Sequence, residues 1–228
     1  MAGNIVTKID GPVAVKNVLV SVSDKSGLER LIPALLEACP GIRFYSTGGT
    51  YAAIEKILGD KAASCLTQVS EYTGQPEMQG GLVKTLDFKI YLGLLSEKYN
   101  DAHVADLERT GAKNIDMVVV NLYPFSETVA KPDATPEDAR ANIDIGGPCM
   151  IRASAKNYIR VAPVVDPADY SKIVDECKSS GGKLSLETRF ELARKAFAHT
   201  ATYDKAISEY LQKLNFDNIK NAYPEIVE

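Results

Sequence analysis

Two opposite charges bracket a glycine turn in IDIGGPCMIRASAKN, residues 143–157. Asp144 stands just ahead of Gly146-Gly147-Pro148, and Lys156 follows twelve residues after the acid. A carboxylate and an amine around a helix start are equipment for proton transfer, and the N–H groups exposed there can stabilise an oxyanion. A second amine, Lys84, followed by Thr85, lies in GGLVKT. Asn121 and Tyr123 close the apolar run MVVVNLYPF. Convergence of these segments would make a pocket holding a carboxylate, two amines, a phenol and an amide, with no metal and no covalent nucleophile. Each group also has a plainer reading: Lys156 as a solvated helix lysine, Asp144 as an N-terminal cap.

Two further turns carry hydroxyls and glycines, SVSDKSG (21–27) and STGGT (46–50). Each lies between an apolar run and a helix pattern. A helix start exposes unpaired N–H groups and partial positive charge, so it attracts anions. Ser23 and Thr47 add hydroxyl donors, Lys25 adds a full charge, and Gly48 and Gly49 allow close backbone approach. Two such loops in neighbouring units point to a phosphate-bearing small molecule. Neither is a G-x-x-x-x-G-K-[ST] loop nor a G-x-G-x-x-G fingerprint, which argues against a nucleoside triphosphate and against NAD.

The elements that must position these turns follow from periodicity. NVLVSV (17–22), IRFYS (42–46), MVVVNLYPF (117–125) and RVAPVVDP (160–167) read as strands, with Pro124 ending the third. LERLIPALLEAC (28–39) repeats apolar residues at helical spacing, with Pro33 placed in its first turn. YAAIEKIL (51–58) and ADLERTGA (105–112) also read as helices. DATPEDARANI (133–143) is a helix capped by Thr135 with Pro136 at its first position. PCMIRASAKNY (148–158) is a helix opened by Pro148, and residues 184–214 form a long helix begun by an S-x-x-T cap. IYLGLL (90–95) fits strand or buried helix. Residues 68–88 are rich in Gly, Pro and polar side chains and read as a long functional loop. Strand–loop–helix repeats predict α/β architecture with a mainly parallel sheet and a helical C-terminal part.

Composition narrows the function. The 228 residues are 45% hydrophobic and 25% charged, with net charge -4. That is an ordinary globule with no global attraction to nucleic acid. No apolar run approaches the ~20 residues of a membrane span, and the N-terminus lacks a signal-peptide core. The four cysteines form no C-x-x-C pair and read as reduced thiols of a cytoplasmic protein. Two histidines, His103 and His199, are too few for a zinc hydrolase. His199 reads as a packing or capping residue.

The motifs SVSDKSGL, STGGT, VSEYTGQPEMQGGLVKTL, NLYPF, IDIGGPCMIRASAKN and LETRFELARKAFAHTATYDKAISEYL cover nearly the whole chain, in order. Together they resemble the inosine monophosphate cyclohydrolase part of the bifunctional purine-biosynthesis enzyme. The resemblance implies a three-layer α/β/α, methylglyoxal-synthase-like fold. One domain is expected over residues 1–228, with the α/β core at about 15–145 and a mainly helical completion at 146–228. It implies that Ser23, Asp24, Lys25, Thr47, Gly48, Gly49 and Thr50 line the nucleotide site, mostly around its phosphate. Thr85, Asn121 and Ile145 contact the remainder. It makes Lys156 the proton-transfer residue, supported by Lys84, Tyr123 and Asp144. The implied reaction closes the purine ring of 5-formamido-1-(5-phosphoribosyl)imidazole-4-carboxamide with loss of water. It needs no cofactor. The implied partners are the small-molecule nucleotide, a second copy in a homodimer, and a separate formyltransferase that supplies the substrate, with no nucleic acid and no membrane.

The chain departs from the family motif at Leu82, where arginine is usual, at Asp87-Phe88 in place of histidine–proline, and at Tyr91 in place of histidine. Two readings from other classes stand beside the cyclohydrolase. One is a non-catalytic nucleotide- or phosphate-binding regulator of the same fold. The other is a methylglyoxal-synthase-type lyase, which the poverty of histidine disfavours.

Overall fold

In the computed structural model, residues 5–76, 78, 84–223 and 225 are described. Five strands form a parallel sheet: β2 (Asn17–Val22), β3 (Arg43–Ser46), β4 (Leu66–Gln68), β5 (Met117–Asn121) and β6 (Ala162–Val164), in the order β4-β3-β2-β5-β6. Register is in line across the centre, with Val18 opposite both Phe44 and Met117, and Val22 opposite Asn121. A separate antiparallel pair joins β1 (Val13–Ala14) to β7 (Lys183–Leu184).

The apolar strands are buried on both faces, as helices on both sides require. Val18, Val20, Met117 and Val119 face one core, which is closed by α1 (Leu28–Ala38), α2 (Gly48–Leu58) and α10 (Tyr170–Ser180). Leu19, Val118 and Val120 face the other. That side is closed by α5 (Phe88–Leu95), α9 (Gly146–Lys156) and α11 (Leu186–Lys213). This is the expected three-layer α/β/α arrangement. Strand β6 and helix α9 belong to the same sheet and layers as the first 145 residues, so the C-terminal part supplies an edge strand as well as helices.

Local signals read well at the capped helices. Thr135 and Asp138 form a reciprocal capping box on α8 (Pro136–Ala141), and Ser185 accepts from the Thr188 N–H to open α11. α6 (Asp101–Thr110) ends at Gly111 in the left-handed region. Three readings change. Pro33 is the sixth residue of α1 rather than part of its first turn, which leaves the Glu29 carbonyl without its helical donor. IYLGLL is helix, because Ile90 and Leu94, one turn apart, share one buried face. The loop predicted at 68–88 holds a further short helix, α4 (Val69–Thr73). Leu82 lies outside the described residues.

The four cysteines are free thiols, and Cys39, Cys65 and Cys177 are buried. No helix among the described residues is long and apolar enough to cross a membrane.

One buried cation ties the C-terminal helix to the rest. Arg189, 1% exposed on α11, donates to the carbonyls of Asp10, Gly11, Tyr158, Ile159 and Leu184 at 2.6–3.1 Å. Burial pushes its pKa down, and the five carbonyl dipoles compensate the buried charge.

Candidate active site

The order of strands reverses between β2 and β5: the chain steps outward from β2 to β3 and β4, then returns to β5 on the other side. In open parallel sheets ligands sit at that switch point, at the carboxyl ends of the strands. A cleft of about 470 Å³ lies there, lined by residues that end β2 and β5 and that begin α2 and α9. That size suits a small ligand.

The wall from β2 is held by Asn121. Its Oδ1 accepts from the Ser23 and Asp24 N–H groups at 2.7 and 2.9 Å, and its Nδ2 donates to the Asp24 carbonyl at 2.8 Å. Thr50 fastens α2 to the same strand end: its hydroxyl accepts from the Val22 N–H and donates to the Val22 carbonyl. Thr50 thus lines the cleft with its hydroxyl already committed to the backbone.

Helix α2 opens at Gly48, inside the STGGT turn, earlier than periodicity predicts. Gly48 has φ +46°, and a Cβ there would stand 3.1 Å from Lys84 Nζ. Lys25 Nζ lies 3.9 Å from the corresponding Cβ position at Gly49. Two ammonium groups therefore gather over a helix start whose first N–H groups have no intrahelical acceptor. A dianionic phosphate is the ligand such a pole suits.

The opposite pole is the start of α9, which opens at Gly146 rather than at Pro148. Asp144 Oδ1 accepts from the Gly147 N–H at 2.9 Å, so the acid does cap the helix while it lines the cleft. Gly147 is tightly packed, since a Cβ there would lie 2.6 Å from both Asp144 Oδ2 and Leu122 Cδ2, so one of those side-chain ends would have to shift. Burial raises the Asp144 pKa, partly offset by N–H donors from Gly147 and Tyr123. The Asp144 N–H donates to Tyr203 Oη at 2.8 Å, and Tyr203 donates to the Asn142 carbonyl. Thr85 Oγ1 sits 2.8 Å from where a Gly146 Cβ would be, and Tyr123 and Ile145 are 52% and 58% exposed at the rim.

Twelve of the fourteen anticipated residues meet here: Ser23, Lys25, Thr47, Gly48, Gly49, Thr50, Lys84, Thr85, Asn121, Tyr123, Asp144 and Ile145. Two are not brought to the cleft. Asp24 turns its carboxylate to the Ser26 N–H at 2.9 Å and contributes only backbone to the loop. Lys156 is exposed at the last position of α9, about 15 Å along the axis from Gly146 at 1.5 Å per residue. Within one chain it does not join the cleft. Tyr203 was not anticipated. It is 59 residues from its partner, and no local pattern marks it.

A parallel sheet with a phosphate-type pole at its switch point defines the class, and the chain belongs to the MGS-like domain family, whose model matches residues 31–149. Residues 154–227 match the model of the AICARFT/IMPCHase bienzyme. The bifunctional purine biosynthesis protein PurH of Neisseria meningitidis serogroup C is 48% identical over 215 residues, 94% of this chain and 39% of that one; PurH of a serogroup A strain matches to the same extent. The chain thus spans well under half the length of these relatives. The crystal structure of ForH superposes with a TM-score of 0.71 at 32% identity, over 85% of this chain and 97% of that one.

Proposed function

We propose that this chain is an inosine monophosphate cyclohydrolase. The single observation that carries the reading is one cleft with two unlike poles: a doubly cationic helix start at Gly48-Gly49, and a half-buried carboxylate beside a second helix start at Asp144. The likeness to PurH supplies the substrate class.

The substrate's phosphate binds at the first pole, held by Lys25, Lys84 and the first N–H groups of α2. The formamido and carboxamide groups lie at the second pole. The carboxamide nitrogen attacks the formyl carbon within the same molecule, so positioning supplies much of the acceleration. Asp144 accepts the proton lost by that nitrogen. The Thr85 and Tyr123 hydroxyls steady the oxygen that gains charge; Tyr123 gives it one proton and Asp144 returns the proton it took, so the oxygen leaves as water, and Tyr123 recovers its proton from the formamido N–H as the ring C=N bond forms. Lys84 belongs on this reading to phosphate binding rather than to proton transfer. The protein works as a homodimer.

A spectrophotometric ring-closure assay on the purified chain tests the reading. Turnover of the formylated nucleotide that Asp144→Asn abolishes is the expected result. Binding of inosine monophosphate without any turnover would replace the enzyme by a nucleotide-sensing domain.

A further inference from the structure

A second and larger cavity, of about 740 Å³, opens at the opposite edge of the sheet, where β2 and β5 begin. The six residues of β2 separate it from the cleft by roughly 17 Å, at ~3.3 Å per residue. Its floor is fixed. Asp116 accepts from the Lys16 and Asn17 N–H groups at 3.0 and 2.9 Å, and the buried Arg160 guanidinium faces Asp116 while donating to the carbonyls of Gly93, Ser96 and Ile115.

Around that floor the charges are uneven. Five basic and three acidic side chains line the cavity of a chain whose net charge is -4. Lys98 is taken by Asp10 at 2.5 Å, and Asp116 by backbone donors and Arg160. Lys16, Lys113 and Lys183 form no salt bridge among the described residues, though Lys16 also feels the Asp116 charge. Local cations outweigh a distant net charge, because salt screens beyond about 8 Å.

The wall between the lysines is of another kind. Val104, Leu107 and Ala112 present an apolar face. Beside it Asn17 Nδ2 donates to the Asn114 carbonyl, and Asn114 Oδ1 accepts from Ser96. That leaves one amide acceptor, Asn17 Oδ1, and one amide donor, Asn114 Nδ2, without a partner among the described residues.

The geometry points to a second ligand site for a phosphorylated heterocycle of the nucleoside diphosphate type, with lysines 16, 113 and 183 on its phosphates and the Asn17–Asn114 amides on the ring edge. The site is independent of the chemistry assigned to the cleft.

The test is a ¹H–¹⁵N NMR titration of the intact chain, saturated with inosine monophosphate, using ADP, adenosine and inorganic pyrophosphate as separate probes. ADP should shift the amides of Asn17, Lys113, Asn114 and Lys183 and bind more tightly than either fragment. Reversing the lysines together (K16E, K113E, K183E) should weaken ADP at least tenfold while the amide spectrum away from the cavity stays that of the folded parent, whereas Lys25→Gln should leave ADP binding unaltered. Absence of shifts at these amides at millimolar ADP, or equal affinity of the charge-reversed protein, would overturn the site. Pyrophosphate binding as tightly as ADP would overturn the role given to the amides. Because the readout is local to the far edge, it is decided whether or not the cleft turns over substrate.

Discussion

Asn121 at the end of β5 and Ser23 at the end of β2 are joined across the switch point by a 2.7 Å hydrogen bond from the Ser23 N–H to the Asn121 carboxamide oxygen. The same side chain also holds both polar groups of the Asp24 backbone. Asn121→Leu strips three backbone groups of their partner without changing side-chain length much. The phosphate-side loop should loosen, and KM should rise about tenfold, a loss of ~1.4 kcal/mol, with kcat less affected. Steady-state kinetics would show this, and a fall in kcat alone would contradict the loop's place at the phosphate pole.

Asp144 trades stability for function. Its raised pKa means that the fold disfavours the ionised form, so the stability this group contributes is full below the unfolded-state pKa and is lost as pH rises from there through the folded-state pKa. Asp144→Asn keeps an acceptor for the Gly147 N–H and removes the half-buried charge. The variant should melt at the same or a higher temperature than the parent at pH 7, and differ less at pH 4, while ring closure is lost. A lower melting temperature at pH 7 would show that the carboxylate stabilises the helix start more than burial costs.

Lys84 and Lys156 should separate cleanly. Lys84→Ala removes one of the two cations over the Gly48-Gly49 helix start and should act mainly on KM. Lys156→Ala should leave turnover within about threefold, since the helix rise carries the residue away from its own cleft. A hundredfold loss would mean that a second copy brings its Lys156 to this cleft, and mixing Lys156→Ala with Asp144→Asn protein would then restore activity.

Much of this site was legible from residue types. Glycine, serine and threonine between an apolar run and a helical pattern located two of the three helix starts, and Thr135 and Ser185 announced their caps. What periodicity missed has a physical reason. The pairs Gly48-Gly49 and Gly146-Gly147 look like loop, but they form the first turns of α2 and α9, with Lys84, Thr85, Leu122 and Asp144 packed close against Gly48, Gly146 and Gly147. The sequence sets Lys156 on the helix that Asp144 precedes, but only the fold shows that the helix rise carries it away from the cleft of its own chain. Tyr203 could not be found at all, since only the packing of α11 on α9 brings it to Asp144.

Gly147→Ala should destabilise the start of α9. A Cβ at 2.6 Å from Leu122 and Asp144 must displace one of them, at about 1–3 kcal/mol for an overpacked site. Urea unfolding should show that loss, and ring closure should fall with it. An unchanged midpoint would mean that the helix start shifts freely.

Arg189→Met should cost at least about 3 kcal/mol, because several of its five carbonyls lose their donor at ~1–3 kcal/mol each. Arg189→Lys should recover only part, lacking the planar fork. Equal urea midpoints for the three proteins would refute the clamp.

That clamp also bears on synthesis. The carbonyls of Asp10 and Gly11 leave the ribosome some 180 residues before the guanidinium that satisfies them, and β2 precedes its neighbour β5 by about 100. At ~5–20 residues per second the nascent N-terminal arm waits on the order of ten seconds or more with its acceptors facing water. The arm should therefore be open to protease on stalled ribosomes and closed only once the last long helix has emerged.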